Sequence, residues 1–161
     1  MKKTIRLLAG CLLTLLTASA HAAQPIQPFE ADGMARILAG QKGKPFVLVV
    51  WSLDCGYCLA SLTHLAREKR KHKSLKVVTL ATDTLSDERN AAMMQKKLKA
   101  AGIASEAWAF GAAPPEQLRY AIDGKWHGEL PRSYWFDGRG GKVAHSGVIA
   151  PEVIARLMPR S

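Results

Sequence analysis

Cysteine is scarce in this chain of 161 residues: three occur, at positions 11, 55 and 58. That excludes the dense disulfide framework of small exported domains. It also argues against a structural zinc site, because no second Cys-x-x-Cys and no His-x-x-x-His accompanies Cys55 and Cys58. The five methionines include no Met-x-x-Met pair, and the five histidines form no tract that would mark a dedicated soft-metal site. Internal repeats, linkers and low-complexity segments are absent. Beyond the N-terminal segment no stretch approaches the roughly 18 apolar residues of a membrane span. Basic and aromatic residues do not interleave, so the formal charge of +10 does not point to nucleic acid. The excess is read as solvated surface, with acidic proteins or anionic membrane faces as the weaker readings.

What is present begins with an export signal. Lys2, Lys3 and Arg6 form a positive segment, Leu7 to Thr17 an apolar one, and Ala20-His21-Ala22 a small-x-small cleavage pattern. Residues 1–22 are expected to be removed, leaving one domain over 23–161. Leu8-Ala9-Gly10-Cys11 offers a rival, a lipoprotein acylated at Cys11. Only four apolar residues precede Cys11 and the apolar run continues through Leu12-Leu13-Thr14-Leu15-Leu16, so the cleaved, soluble form is favoured. Losing three cations takes the charge from +10 to +7 and leaves Cys55 and Cys58 as the sole thiols.

Those two cysteines sit in Trp51-Ser52-Leu53-Asp54-Cys55-Gly56-Tyr57-Cys58, directly after the apolar run Phe46-Val47-Leu48-Val49-Val50. The run reads as a buried strand, and the leucines after the cysteines recur at helical spacing. A helix N-terminus offers unpaired N–H groups and the positive end of the macrodipole, both of which favour a thiolate. Cys55 is thus the candidate nucleophile. Cys58, one turn further in, can attack a mixed disulfide formed at Cys55 and resolve it. Two structural cysteines, or half of a zinc site, are the bland alternatives. The strand-to-helix placement favours a dithiol/disulfide switch with a Cys55–Cys58 bond.

The rest of the chain alternates. Gln24 to Glu30 reads as an extended lead-in, and Asp32 as the cap of a helix with Met34, Ile37 and Leu38 inward. The helix after the cysteines presents Leu59, Leu62 and Leu65 and ends in a cationic cluster; His64 on it is expected to be exposed. Leu75 to Ala81 is a second strand, joined to the first by a right-handed parallel crossover. Ser86, Asp87 and Glu88 start a helix through Met93, Met94, Lys97 and Leu98. Glu106 to Phe110 is a short strand, and Pro114-Pro115 opens a helix with Leu118, Tyr120 and Ile122. The aromatic run to Phe136-Asp137 turns at Gly138-Arg139-Gly140-Gly141 into Lys142 to Ser146, and Pro151 opens a last helix. An α/β fold with a central mixed sheet flanked by helices follows.

With the Trp51 to Cys58 segment, Leu130-Pro131 before the aromatic strand, and the glycine-rich hairpin with His145-Ser146-Gly147, the chain resembles the thioredoxin superfamily. More narrowly it is similar to exported thiol-disulfide oxidoreductases of the TlpA, ResA and cytochrome c-biogenesis type, over about Phe29 to Met158. The resemblance implies a thioredoxin-like fold, a cis Leu130–Pro131 bond facing the cysteines, and substrate pairing along Leu130, with Trp51 and Tyr57 as further contacts. No cofactor or metal is implied. Its implied partners are exported proteins with disulfides and a membrane thiol donor.

Three departures from the family pattern bear on tuning. Asp54 replaces the usual tryptophan before the first cysteine; it either raises the Cys55 thiol's pKa or is an exposed helix cap. Val49 and Ser61 occupy positions where family members carry acids, so proton transfer to Cys58 needs water or another group, with Glu129 a candidate. Gly56-Tyr57 is similar to the dipeptide of periplasmic disulfide isomerases. The function expected is a periplasmic, monomeric oxidoreductase reducing disulfides of the cytochrome c or copper-site maturation type. An oxidant or isomerase role, or Cu(I) delivery through the same thiols, is the alternative.

Overall fold

The computed structural model describes residues 25–103 and 105–158. The expected signal at 1–22, including Cys11, lies outside them. The six-stranded sheet has the order β1-β4-β3-β2-β5-β6. Its centre is β2 (Phe46–Trp51), every residue of which is buried, as its β-branched composition requires of a strand covered on both faces. β2 runs parallel to β3 (Val77–Thr84), which runs parallel to β4 (Glu106–Phe110). On the other side β5 (Arg132–Phe136) and β6 (Lys142–Ser146) continue the sheet antiparallel.

Alternation along β2 sorts the core into two layers. Val47, Val49 and Trp51 face α2 (Gly56–Lys71), α3 (Glu88–Ala100) and α5 (Pro151–Leu157), meeting Leu62, Leu65, Met94, Leu98 and Ile154. Phe46, Leu48 and Val50 face α1 (Gly33–Gln41) and α4 (Pro115–Ile122), meeting Ile37, Leu118 and Ile122. This is one α/β domain with the mixed sheet between two helical layers, the thioredoxin-like arrangement.

Several local expectations change. The lead-in is a strand: β1 (Gln27–Phe29) pairs in parallel with Trp108, Ala109 and Phe110. Asp32 stands at the N-cap of α1, but its side chain makes no capping bond. At α3 the cap is Asp87, accepting from Arg89 N–H, while Ser86 bonds Thr84 instead. Strand β3 starts two residues later than expected, because Leu75 N–H is used in a turn to His72 C=O. Leu38, Leu59, Met93 and Tyr120, expected on inward helix stripes, are exposed. Leu38, Leu59 and Met93 lie at the margins of apolar stripes, whereas Tyr120, two residues from both Leu118 and Ile122, lies on the opposite face of α4.

Candidate active site

The β2–α2 turn is built so that the first cysteine sits at a helix end. Ser52, Leu53 and Asp54 leave the strand, Cys55 takes the N-cap position with extended backbone (φ −87°, ψ 99°), and Gly56 opens the helix. No side chain caps this end, so the first-turn N–H groups and the helix dipole are directed at Cys55 itself. Cys55 and Cys58 form a disulfide with a Cα–Cα distance of 5.3 Å. Cys55 is half-buried and Cys58 fully buried, 0 % exposed. One sulfur is thus reachable from outside and the other lies behind it.

The opposite wall comes from β5. Register pairs Val50 with Arg132, so the residues just before Arg132 lie beside the end of β2 and the turn that carries Cys55. The Leu130–Pro131 bond there is cis. Pro131 is buried, and Leu130 packs on the same core as both cysteines. The Pro131 C=O is occupied, accepting Gly147 N–H at 2.9 Å. Among the described residues, neither the N–H nor the C=O of Leu130 makes a hydrogen bond to protein. Tyr57, 72 % exposed, stands at the rim.

Other expected site residues are placed differently. Trp51 is 2 % exposed and belongs to the core beneath the disulfide, so it has almost no surface to offer a substrate. Asp54 is exposed, and the cap position expected for it is held by Cys55. Glu129 is tied up: its Oε1 accepts from Ser146 Oγ at 2.6 Å and from Arg132 Nη1 at 3.0 Å. Burial pushes its carboxyl up, but Ser146 and Arg132 outweigh that and hold it below the usual range. An ionised, ion-paired carboxylate is a poor proton donor to Cys58 at neutral pH.

Several participating residues were not expected in the roles they take. Ser61, 0 % exposed, donates to Tyr57 C=O and accepts Ile149 N–H at 3.0 Å. His64, expected to be exposed, is half-buried with Nδ1 3.0 Å from Ile149 C=O; a carbonyl only accepts, so Nδ1 carries the proton. Asp83 and Lys97 reach the backbone of Leu53. Arg132 joins Glu129, Ser146 and Asp123 behind the cis bond. The one hint was Asp83, a charge ending an apolar strand. Among the described residues no group of three or more His, Cys, Asp or Glu side chains is placed to hold a metal, and no helix is long and apolar enough to cross a membrane.

No protein-family model matches this chain, and no curated protein does. Solved structures do. A secreted Mycobacterium tuberculosis disulfide oxidoreductase homologous to Escherichia coli DsbE aligns at TM-score 0.58 and 18 % identity, over 74 % of this chain and 84 % of that one. A DsbF homologue from Corynebacterium diphtheriae gives TM-score 0.58 and 20 % identity, over 75 % and 74 %. StoA from Bacillus subtilis gives 0.51 and 18 %, over 72 % and 83 %. At such identities it is the architecture that is shared: this chain has the thioredoxin-like fold of these structures and, like a dithiol/disulfide switch, closes a Cys-x-x-Cys disulfide at the start of α2.

Proposed function

We propose that the protein is a thiol–disulfide oxidoreductase that acts on exported proteins in the periplasm after loss of residues 1–22. The observation that carries this reading is the opposition of a reachable Cys55, backed by a buried Cys58, to a Leu130 backbone whose two polar groups are unengaged. An extended polypeptide can pair with that backbone as a short added strand, which lays its disulfide across Cys55. The secreted disulfide oxidoreductase of the same fold supports the assignment.

In the reducing direction the Cys55 thiolate attacks one sulfur of the substrate disulfide. A mixed disulfide forms and the other substrate sulfur leaves as a thiolate that takes up a proton. Cys58, losing its proton, then attacks Cys55 Sγ, releasing the second substrate thiol and closing the Cys55–Cys58 bond. Two electrons pass from the dithiol to the substrate, and a membrane thiol donor returns them. Substrates of the cytochrome c or copper-site maturation type suit this direction, and the protein acts as a monomer.

Trapping tests the mechanism. Cys58→Ala accumulates mixed disulfides through Cys55 in vivo, and the additional Cys55→Ala substitution abolishes them. Absence of trapped species in Cys58→Ala sinks the proposal. Equilibration of the pair with a glutathione series gives the direction, a strongly negative potential marking a reductase.

A further inference from the structure

The turn that delivers Cys55 is gripped by charge from two distant elements. Leu53 N–H donates to Asp83 Oδ2 of β3 at 2.8 Å, and Leu53 C=O accepts from Lys97 Nζ of α3. The partners lie 30 and 44 residues from Leu53, so tertiary folding alone brings them there. Among the described residues neither Asp83 nor Lys97 belongs to an ion pair. Each full charge is therefore spent on one peptide group of the turn. Leu53 is 8 % exposed, and screening there is weaker than in bulk water.

The two charges act on consecutive peptide units. Asp83 holds the Ser52–Leu53 unit, whose C=O accepts Cys55 N–H at 3.3 Å. A carboxylate at the N–H end of that unit makes its C=O a stronger acceptor, drawing the Cys55 amide into place. Lys97 holds the Leu53–Asp54 unit from the other side. Neutral side chains could anchor this turn equally well as a matter of shape. Opposite charges do more, because a cation favours a nearby thiolate and an anion disfavours it.

We propose that Asp83 and Lys97 are positioning residues of the dithiol site, fixing the turn that carries Cys55 and setting, with opposite signs, how readily its thiol ionises. The inference rests on the reading of Cys55 as the nucleophile. Other titratable groups on the surrounding elements are Asp54 in the same turn, Tyr57 and His64 on α2, and Glu129 and Arg132 flanking the cis bond. All of these remain in the variants below.

The test follows the rate of Cys55 alkylation by iodoacetamide against pH in the reduced chain without residues 1–22, and so without Cys11, carrying Cys58→Ala, so that Cys55 is the one thiol that reports. Lys97→Met moves the midpoint to a proton concentration about tenfold lower, and Asp83→Asn moves it about tenfold the other way. Lys97→Arg, which keeps the cation, restores the parent midpoint. If Lys97→Met fails to fold, Lys97→Gln takes its place, since it keeps a donor for the carbonyl and lacks the charge. Shifts in the same direction, or shifts smaller than about twofold, overturn the inference. A parent whose Cys55 neither alkylates nor exchanges with glutathione disulfide overturns the dithiol reading itself, and the inference with it.

Discussion

Ser61→Ala removes one oxygen from a position that is 0 % exposed, and the surrounding bonds set the cost. That oxygen donates to Tyr57 C=O four residues back at 3.1 Å and accepts Ile149 N–H at 3.0 Å. The first bond matters little, because the Tyr57 carbonyl lies inside α2 and such back-bonding is near neutral in a helix. The second matters more. Ile149 is itself 0 % exposed, so its N–H is left with neither protein nor bulk water, and an orphaned buried donor costs about 1–3 kcal/mol. No cavity of consequence opens when a hydroxyl goes. The expected result is a loss of about 1–3 kcal/mol in urea unfolding of the oxidised protein, or about 3–9 °C in melting temperature for a domain of this size. Thr63→Ala is the control: its hydroxyl makes the same kind of back-bond, to Leu59 C=O at 2.8 Å, with nothing depending on it, and its loss costs less than about 0.5 kcal/mol. If Ser61→Ala is no more destabilising than Thr63→Ala, the Ile149 bond does not hold the fold as argued.

Burial pushes the Tyr134 phenol from 10.0 up to about 12. Between those values the unfolded chain has lost the proton that the native state keeps, so stability falls as pH rises through that window; Tyr134→Phe flattens the decline in alkaline unfolding curves. At the acid end, burial pushes the Asp123 carboxyl up, but the Lys125 N–H, Lys142 and Arg132 outweigh it, and Glu129 is likewise held low. Their stabilisation is present above the ordinary values of 3.8 and 4.5 and is lost as pH falls through the lower native ones, a loss that Arg132→Met reduces in acid titrations. Gly138 has φ +76° and a Cβ there would meet Gly43 C=O at 2.2 Å, so Gly138→Ala costs about 2 kcal/mol or more by equilibrium unfolding.

The cysteine segment was legible because its signal is local: an apolar β-branched run, a two-residue spacing and a helical stripe all fall within one stretch. Glu106–Phe110 was readable for the same reason. What escaped was set by partners remote in sequence. Gln27–Phe29 contains Pro28 and has three residues, too few for a period; it is a strand because β4 offers it an edge. Asp83 and Lys97 look like ordinary solvated charges until α3 is packed against β3 and both arrive at Leu53. Trp51 was expected as a substrate contact, whereas its ring fills the layer under α2. Ser61 was read only as a missing acid and His64 only as an exposed helical histidine, because their common partner, the backbone of Ile149, is remote in sequence.

The segment from Gly147 to Ile149 ties the two sides of the cleft together. Gly147 N–H is bonded to Pro131 C=O, while Ile149 is held at both its N–H and its C=O by side chains of α2. The proline wall and the cysteine wall are consequently one solid piece, braced across three residues like the frame of a fixed-width slot. On the function proposed above, adaptation then falls to the incoming chain, which has to present its disulfide on an extended strand.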